Sequence, residues 1–198
     1  MASGNDWIKN RAKTAGRPDR EVRFEIAGRA LGEARRRNRE APAPNPAGDF
    51  GDGGTAELGE VSGADTGGSG CPILVEGKKD VVALRKLGFS GVIEKVNRGW
   101  NMPRLVAHLY EQYGTRNPID GGAAIILLMD WDRTGGRIQR DILNRLESLD
   151  VKLDIHTRKE IARCLKPEGR TVEGLAAHAS ELKVFIDERD IDGAGEDE

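Results

Sequence analysis

Apolar and polar positions change texture at about residue 71 of the 198. From there on, short apolar runs alternate with longer amphipathic stretches; before it neither is sustained. PILVE (72–76), GVIEKV (91–96) and AAIILLMDWD (123–132) are apolar runs of strand length, and VKLDIHT (151–157) alternates as a fourth. The run at 123–132 is apolar at successive positions, as a strand covered on both faces requires. Between these runs, KKDVVALRKLG (78–88), MPRLVAHLYEQYG (102–114) and GGRIQRDILNRLESL (135–149) repeat apolar residues every three or four positions. That period predicts helices. Gly88 and Gly114 suit helix ends and Pro103 a first turn. Ile138, Ile142, Leu146 and Leu149 mark one face of the third helix. Shorter helices are predicted over 158–165 and 171–182, the latter with Thr171 as N-cap. Strands alternating with helices predict an α/β domain over 71–183, a four-stranded parallel sheet flanked by helices.

The remaining chain divides by composition. Residues 1–40 carry a net charge of +5 and read as a basic helical N-terminal arm. Within it, Val22, Ile26, Ala30 and Ala34 form a thin stripe, and the run Arg35 to Arg39 suits a helix C-terminus. Residues 41–70 hold nine Gly and three Pro with no Lys or Arg, and read as a disordered linker. Residues 184–198 carry a net charge of -6 and read as an acidic, disordered tail. The 71–183 segment is itself basic, at +4. A basic domain around an acidic site suits a polyanionic substrate, although solvated surface charge explains any single Arg as well.

Cys71 and Cys164 form no CxxC, which points away from a disulfide framework or a zinc site, and Cys164 reads as a small core residue. MASGNDWIKNRAK lacks an apolar leader core, and AAIILLM is too short to span a bilayer. The expectation is a cytoplasmic protein with no membrane partner.

Two apolar strands end in acid. PILVE delivers Glu76, followed by Gly77; IILLMDWD delivers Asp130 and Asp132, followed by Arg-Thr-Gly-Gly. Ligands of open α/β sheets bind beyond the carboxyl ends of the strands. Three carboxylates gathered there repel one another, and a hard divalent cation such as Mg²⁺ relieves that repulsion. Gly135 and Gly136 open the next helix, whose free N–H groups suit a phosphate. Lys78 and Arg133 flank these residues as candidate phosphate contacts; Lys79 and Arg98 read better as exposed charge. Trp131, Tyr110 and Tyr113 read as packing, and His108, His156 and His178 lack ligand spacing.

Together, Glu76-Gly77-Lys78-Lys79-Asp80 and Asp130-Trp131-Asp132-Arg133-Thr134-Gly135 resemble the two signatures of the Toprim domain, shared by topoisomerases, bacterial-type primases and several nucleases. The likeness covers 72 to about 183. With RTVEGL (170–175), the wording looks closest to small archaeal Toprim proteins. The resemblance implies that Glu76 is the general acid or base and a possible metal ligand. It implies that Asp130 and Asp132 bind Mg²⁺, with Mn²⁺ able to substitute, and that Gly77, Asp80 and Gly135 shape the motif loops. It further implies action on nucleic acid, RNA ahead of DNA, as in the nuclease that matures 5S ribosomal RNA.

Other functions remain open on the sequence. A non-catalytic module gripping nucleic acid or a ribonucleoprotein fits the basic charge equally well. Primase-like nucleotidyl transfer is disfavoured, because residues 1–70 do not supply the zinc-binding region and core segments of that class. MDWDRT also matches the DxDxT opening of haloacid-dehalogenase-type phosphatases. In those enzymes that strand comes first, whereas here two strand-like units precede it, and VFIDERD (184–190) follows too soon to be their final acidic motif.

Overall fold

A computed structural model describes residues 19–40 and 67–193. Among these residues four short strands form one parallel sheet: β1 (Ile73–Val75), β2 (Ile93–Lys95), β3 (Ile125–Leu127) and β4 (Leu153–Asp154), in the order β2-β1-β3-β4. Ile73 pairs with Ile93 on one side and Ile126 on the other, and Ile125 pairs with Leu153. Among the described residues six α-helices surround the sheet: α1 (Arg20–Asn38), α2 (Lys78–Lys86), α3 (Met102–Tyr113), α4 (Arg133–Glu147), α5 (His156–Leu165) and α6 (Ala179–Arg189). The α/β class and the parallel four-stranded sheet expected from the hydrophobic pattern are both present.

Period-two alternation divides the strand side chains between two cores. Ile73, Val75, Ile126 and Leu128 face one core with Leu84 of α2 and Leu87 just after it, Ile161 and Cys164 of α5, and Leu182 and Ile186 of α6. Leu74, Ile125, Leu127 and Met129 face the other with Leu105 and Leu109 of α3 and Ile142 and Leu146 of α4. Both faces of β1 and β3 are therefore dry, which explains their unbroken apolar runs.

The largest departure from the sequence reading concerns residues 20–40. They are helical, but the helix is part of the domain and not a separate arm. Phe24, Ala27, Leu31 and Ala34 are buried in the first core, while Val22 is exposed. The inward face was missed because it is built partly from glycine. A Cβ on Gly28 would stand 2.5 Å from Phe185 Cβ, and one on Gly32 would stand 2.7 Å from the Ile186 carbonyl oxygen. Two small residues one turn apart let α1 and α6 approach closely, and hydropathy gives such positions no weight. The end of α1 is tied to the sheet edge by Asn38 Nδ2, which donates to the carbonyls of Cys71 (3.0 Å) and Val92 (2.9 Å).

Two boundaries move as well. Of the segment read as a linker, residues 41–66 lie outside the described residues. Its end is packed: Ser69 N–H donates to Arg37 O (3.2 Å) and Gly70 N–H to Arg39 O (2.7 Å). Of the segment read as an acidic tail, 194–198 lie outside the described residues, but 184–189 complete α6. Ile186 and Asp190 are buried there, so their burial against α1 overrides the acidic composition. Two smaller differences follow the same logic. The β4 ladder is only two residues long, and 173–178 form a 3-10 helix before α6.

Candidate functional site

The sheet order makes β1 and β3 the two central strands. From β1 the chain moves outward to β2 and then crosses back to β3 on the other side. The crevice beyond the carboxyl ends of β1 and β3 is therefore the topological switch point, where open α/β sheets bind ligands. Glu76 follows β1 directly and Asp130 follows β3 by three residues. Parallel register places them side by side: Glu76 Oε1 accepts the Asp130 N–H at 3.1 Å.

Each of the three acids is oriented by a backbone N–H. Asp130 Oδ1 accepts from Val172 N–H (2.7 Å), and Asp132 Oδ1 accepts from Gly135 N–H (2.7 Å) as the N-cap of α4. The second oxygens of Glu76, Asp130 and Asp132 have no hydrogen bond among the described residues. Gly135 is where α4 starts against both strand ends. A Cβ there would overlap the Asp130 carbonyl and stand 2.6 Å from Glu76 Oε1. Only glycine fits at this position of the Asp-x-Asp-x-x-Gly motif. Gly77 and Asp80 form the other motif loop, with Gly77 N–H donating to Asp80 Oδ2 at 2.8 Å. Asp80 is buried and closes the start of α2, so it faces the loop and not the solvent.

The electrostatics follow from this crowding. Burial raises the Glu76 carboxyl above the ordinary range, and repulsion from Asp130 adds to the rise. Burial likewise raises Asp130, against the opposing pull of its bond from Val172, with Asp80, Asp132 and Glu173 repelling it. Burial also raises Asp80. Among the described residues no group of three or more His, Cys, Asp or Glu side chains is arranged closely enough to hold a metal ion. The donor chemistry nonetheless suits a hard cation: the site is all carboxylate oxygen, each group is fixed through one oxygen, and mutual repulsion awaits a positive charge.

The candidate phosphate contacts differ in position. Arg133 is exposed at the first turn of α4 and lines a cleft of about 520 Å³ with Asp132, Thr134, Gly136, Arg137 and Arg140. Lys78 is exposed at the first turn of α2 and does not line that cleft. Lys79 pairs with Glu173 at 3.5 Å, and Arg98 is held by Glu94 and by the Trp100 ring. Trp131 is 9 % exposed and donates through Nε1 to Gly169 O at 2.7 Å, a packing role. Tyr113 donates to Glu94 at 2.8 Å.

Sequence reasoning missed Arg158. From the first turn of α5, beyond β4, its Nε donates to Met129 O (2.8 Å) and its Nη2 to Asp130 O (2.6 Å). Burial lowers its pKa, while Glu76, Asp130 and Asp132 all pull the other way. The signal was available, because the strand-end rule applied to Glu76 and Asp130 applies equally to the residues after β4. The segment 170–172 was also missed as a site element. Besides the Val172 contact, its Arg170 carbonyl accepts the Trp131 N–H at 2.9 Å, which docks RTVEGL on the acidic loop.

No family model matches the chain, and no solved structure matches it. The chain is similar to a UPF0292 protein of Thermococcus onnurineus, 34% identical over 104 residues that cover 52% of this chain and 69% of the relative. It is 28% identical over 131 residues to the UPF0292 protein Mbar_A0484 of Methanosarcina barkeri, covering 65% and 80%. With the UPF0292 protein TV1259 of Thermoplasma volcanium the identity is 30% over 109 residues, covering 55% and 82%. All three relatives are archaeal. Among the described residues no helix is long and apolar enough to cross a membrane.

Proposed function

The chain belongs to the UPF0292 family, and from that premise and its site we propose that it is a Toprim-type, Mg²⁺-dependent nuclease acting on nucleic acid phosphodiesters. Family membership brings no activity with it, so the case rests on the site. The observation that carries it is the locked junction of Glu76, Asp130 and Gly135 at the switch point, with one carboxylate oxygen of each acid left over.

In this reading Glu76, Asp130 and Asp132 would hold Mg²⁺, which would supply positive charge against the phosphate under attack. The chain's own groups do the rest. Arg133 and the opening N–H groups of α4 take phosphate oxygens and hold the diester over the strand ends. Glu76 moves the proton of the attacking water or of the leaving oxygen. A carboxyl raised by burial stands nearer neutral pH and suits that task. Arg158 positions the Asp130 backbone and tempers the repulsion among the three acids.

The test is cleavage of labelled structured RNA, single-stranded DNA and duplex DNA by the full chain with Mg²⁺ or Mn²⁺. Glu76→Gln and Asp130→Asn preserve shape and remove charge. Each is expected to lower cleavage by about 10²–10⁴-fold, the usual worth of a positioned acid or base. Cutting that survives both substitutions, or wild type that binds but cuts none of the substrates, sinks the nuclease reading. The second result favours a binding module.

A further inference from the structure

The arginines of this protein are mostly spoken for. Among the described residues, Arg133, Arg137, Arg140 and Arg170 are the only arginines whose side chains have no hydrogen bond, ion pair or ring contact. Three of these four line one cleft, on one helix, at the mouth of the acidic site. Uncompensated cations gathered in a concavity carry mutual repulsion, which a bound polyanion relieves.

Their spacing specifies the anion further. Residues 133, 137 and 140 fall within an arc of about 60° on an α-helix, and the row is about 10.5 Å long at 1.5 Å per residue. One nucleic-acid strand in a duplex advances roughly 3.4 Å per nucleotide along its axis, so the row is longer than a single phosphate needs. The rest of the lining is Thr134, Gly136 and Asp132, the acid this cleft shares with the site, with no aromatic side chain on which a base could stack. The three arginines and the Thr134 hydroxyl take phosphate oxygens, and the lining carries no base-stacking platform.

We propose that the α4 row is a backbone track that grips the two or three phosphates flanking the one at Glu76, Asp130 and Asp132, on one strand of nucleic acid and without regard to base sequence. The track rests on the reading above that the ligand is nucleic acid. It adds which side of the crevice the strand leaves by, along α4 and past Arg140. It also assigns binding roles to Arg137 and Arg140, which no motif singles out.

The experiment measures fluorescence anisotropy of labelled single-stranded DNA and RNA oligonucleotides of increasing length against the full chain, in EDTA so that nothing is cut, across a salt series. Arg137→Gln with Arg140→Gln is compared with Arg29→Gln with Lys183→Gln, an equal charge loss on α1 and α6. The cleft pair is expected to weaken binding about tenfold and to lower the salt slope by about 1.4, at roughly 0.7 per phosphate released from a single strand. The control pair is expected to change neither. The gain in affinity with oligonucleotide length is expected to flatten earlier in the cleft pair than in wild type.

Equal losses in both pairs would reveal diffuse charge and overturn the track. So would an unchanged slope in the cleft pair, or binding of inorganic polyphosphate with no binding of oligonucleotides. The two readings fail separately. Wild type that cuts nothing yet binds through Arg137 and Arg140 removes the nuclease and keeps the track. Cutting by the cleft pair with unchanged KM keeps the nuclease and removes the track.

Discussion

Helices α1 and α4 are both rich in arginine, and they use it in opposite ways. In α1 the charges are absorbed by the fold. Arg35 is fully buried between Asp187 (2.6 Å) and Asp190 (2.7 Å), Arg23 holds both oxygens of Glu168 at 2.7 Å, and Arg37 reaches Asp120 at 3.0 Å. In α4 the arginines before Arg145 stand exposed in a cleft without partners among the described residues. The RRRNR run at 35–39 is the more conspicuous feature of the sequence, yet it is structural. The scattered Arg133, Arg137 and Arg140 are the ones positioned for a ligand. Local charge density is a poor guide to available charge, because availability depends on which acids the fold brings close.

The largest effect should come from breaking the α1 arrangement. Arg35→Met leaves buried Asp190 with Arg39 (2.7 Å) as its remaining cation and strips Asp187 of its partner, which costs about 3 kcal/mol in urea unfolding, the low end for breaking a buried pair. Arg137→Gln and Arg140→Gln should each stay within about 0.5 kcal/mol of wild type, as exposed substitutions do. A comparable loss at Arg137 or Arg140 would break the comparison, since those arginines would then be structural too. Arg158 stands between the two classes. Arg158→Gln loses charge-assisted bonds to two carbonyls, and the expected cost is about 1.5–3 kcal/mol. The loss should shrink in acid, where Glu76 and Asp130 protonate and no longer need a cation beside them. A loss independent of pH would leave Arg158 as a simple strand-end clamp.

Features read correctly from sequence depend on neighbours in the chain. The strands, their parallel arrangement and the helices between them follow from short apolar runs spaced by amphipathic ones. The position of Glu76, Asp130 and Asp132 beyond the sheet was legible because they follow the ends of β1 and β3 by one, three and five residues, so the strands themselves place them. Arg158 and the Val172 N–H reach the same site from other segments, and their contacts exist only after β4, α5 and the 170–172 segment fold. The face of α1 was misread for a related reason. Hydropathy ranks Gly28 and Gly32 as neutral, whereas close approach to α6 makes them the centre of the contact. Strand lengths were overread because the apolar run 123–132 continues past the ladder, where Leu128 and Met129 stay buried on the way to the acidic loop.

A smaller effect of opposite sign separates the acidic site from the rest of the molecule. Glu76 and Asp130 have carboxyls raised above their ordinary range. A raised acid costs stability once it ionises. That cost is absent below the unfolded-state pKa, grows as pH rises, and is complete above the folded-state value. Glu76→Gln should therefore raise Tm at neutral pH, by about 2–4 °C if the gain is near 1 kcal/mol, and the gain should close as pH falls into the ordinary carboxylate range. Added Mg²⁺ should raise the Tm of wild type more than that of Glu76→Gln, because a ligand stabilises only the form that binds it. A destabilised Glu76→Gln would mean that the three acids are held by the fold and not strained by one another.

The smallest expected effect tests the α1 side with the opposite pH sign. The hydrogen bonds from Arg23 hold Glu168 below the usual carboxylate range. A depressed acid contributes stability that is present above its unfolded pKa and is lost as pH falls through the lower folded value. Glu168→Gln should lower Tm slightly at neutral pH, by less than about 1 kcal/mol in free energy because the amide still accepts one bond from Arg23. The difference should vanish in strong acid. Glu181→Gln, at the half-exposed pair with Arg20, should leave Tm unchanged at every pH, since solvent and salt screen such a pair. Acid melts of the three proteins decide this. Equal shifts at Glu168 and Glu181 would mean that the fold absorbs the α1 charges no more tightly in its interior than at its surface.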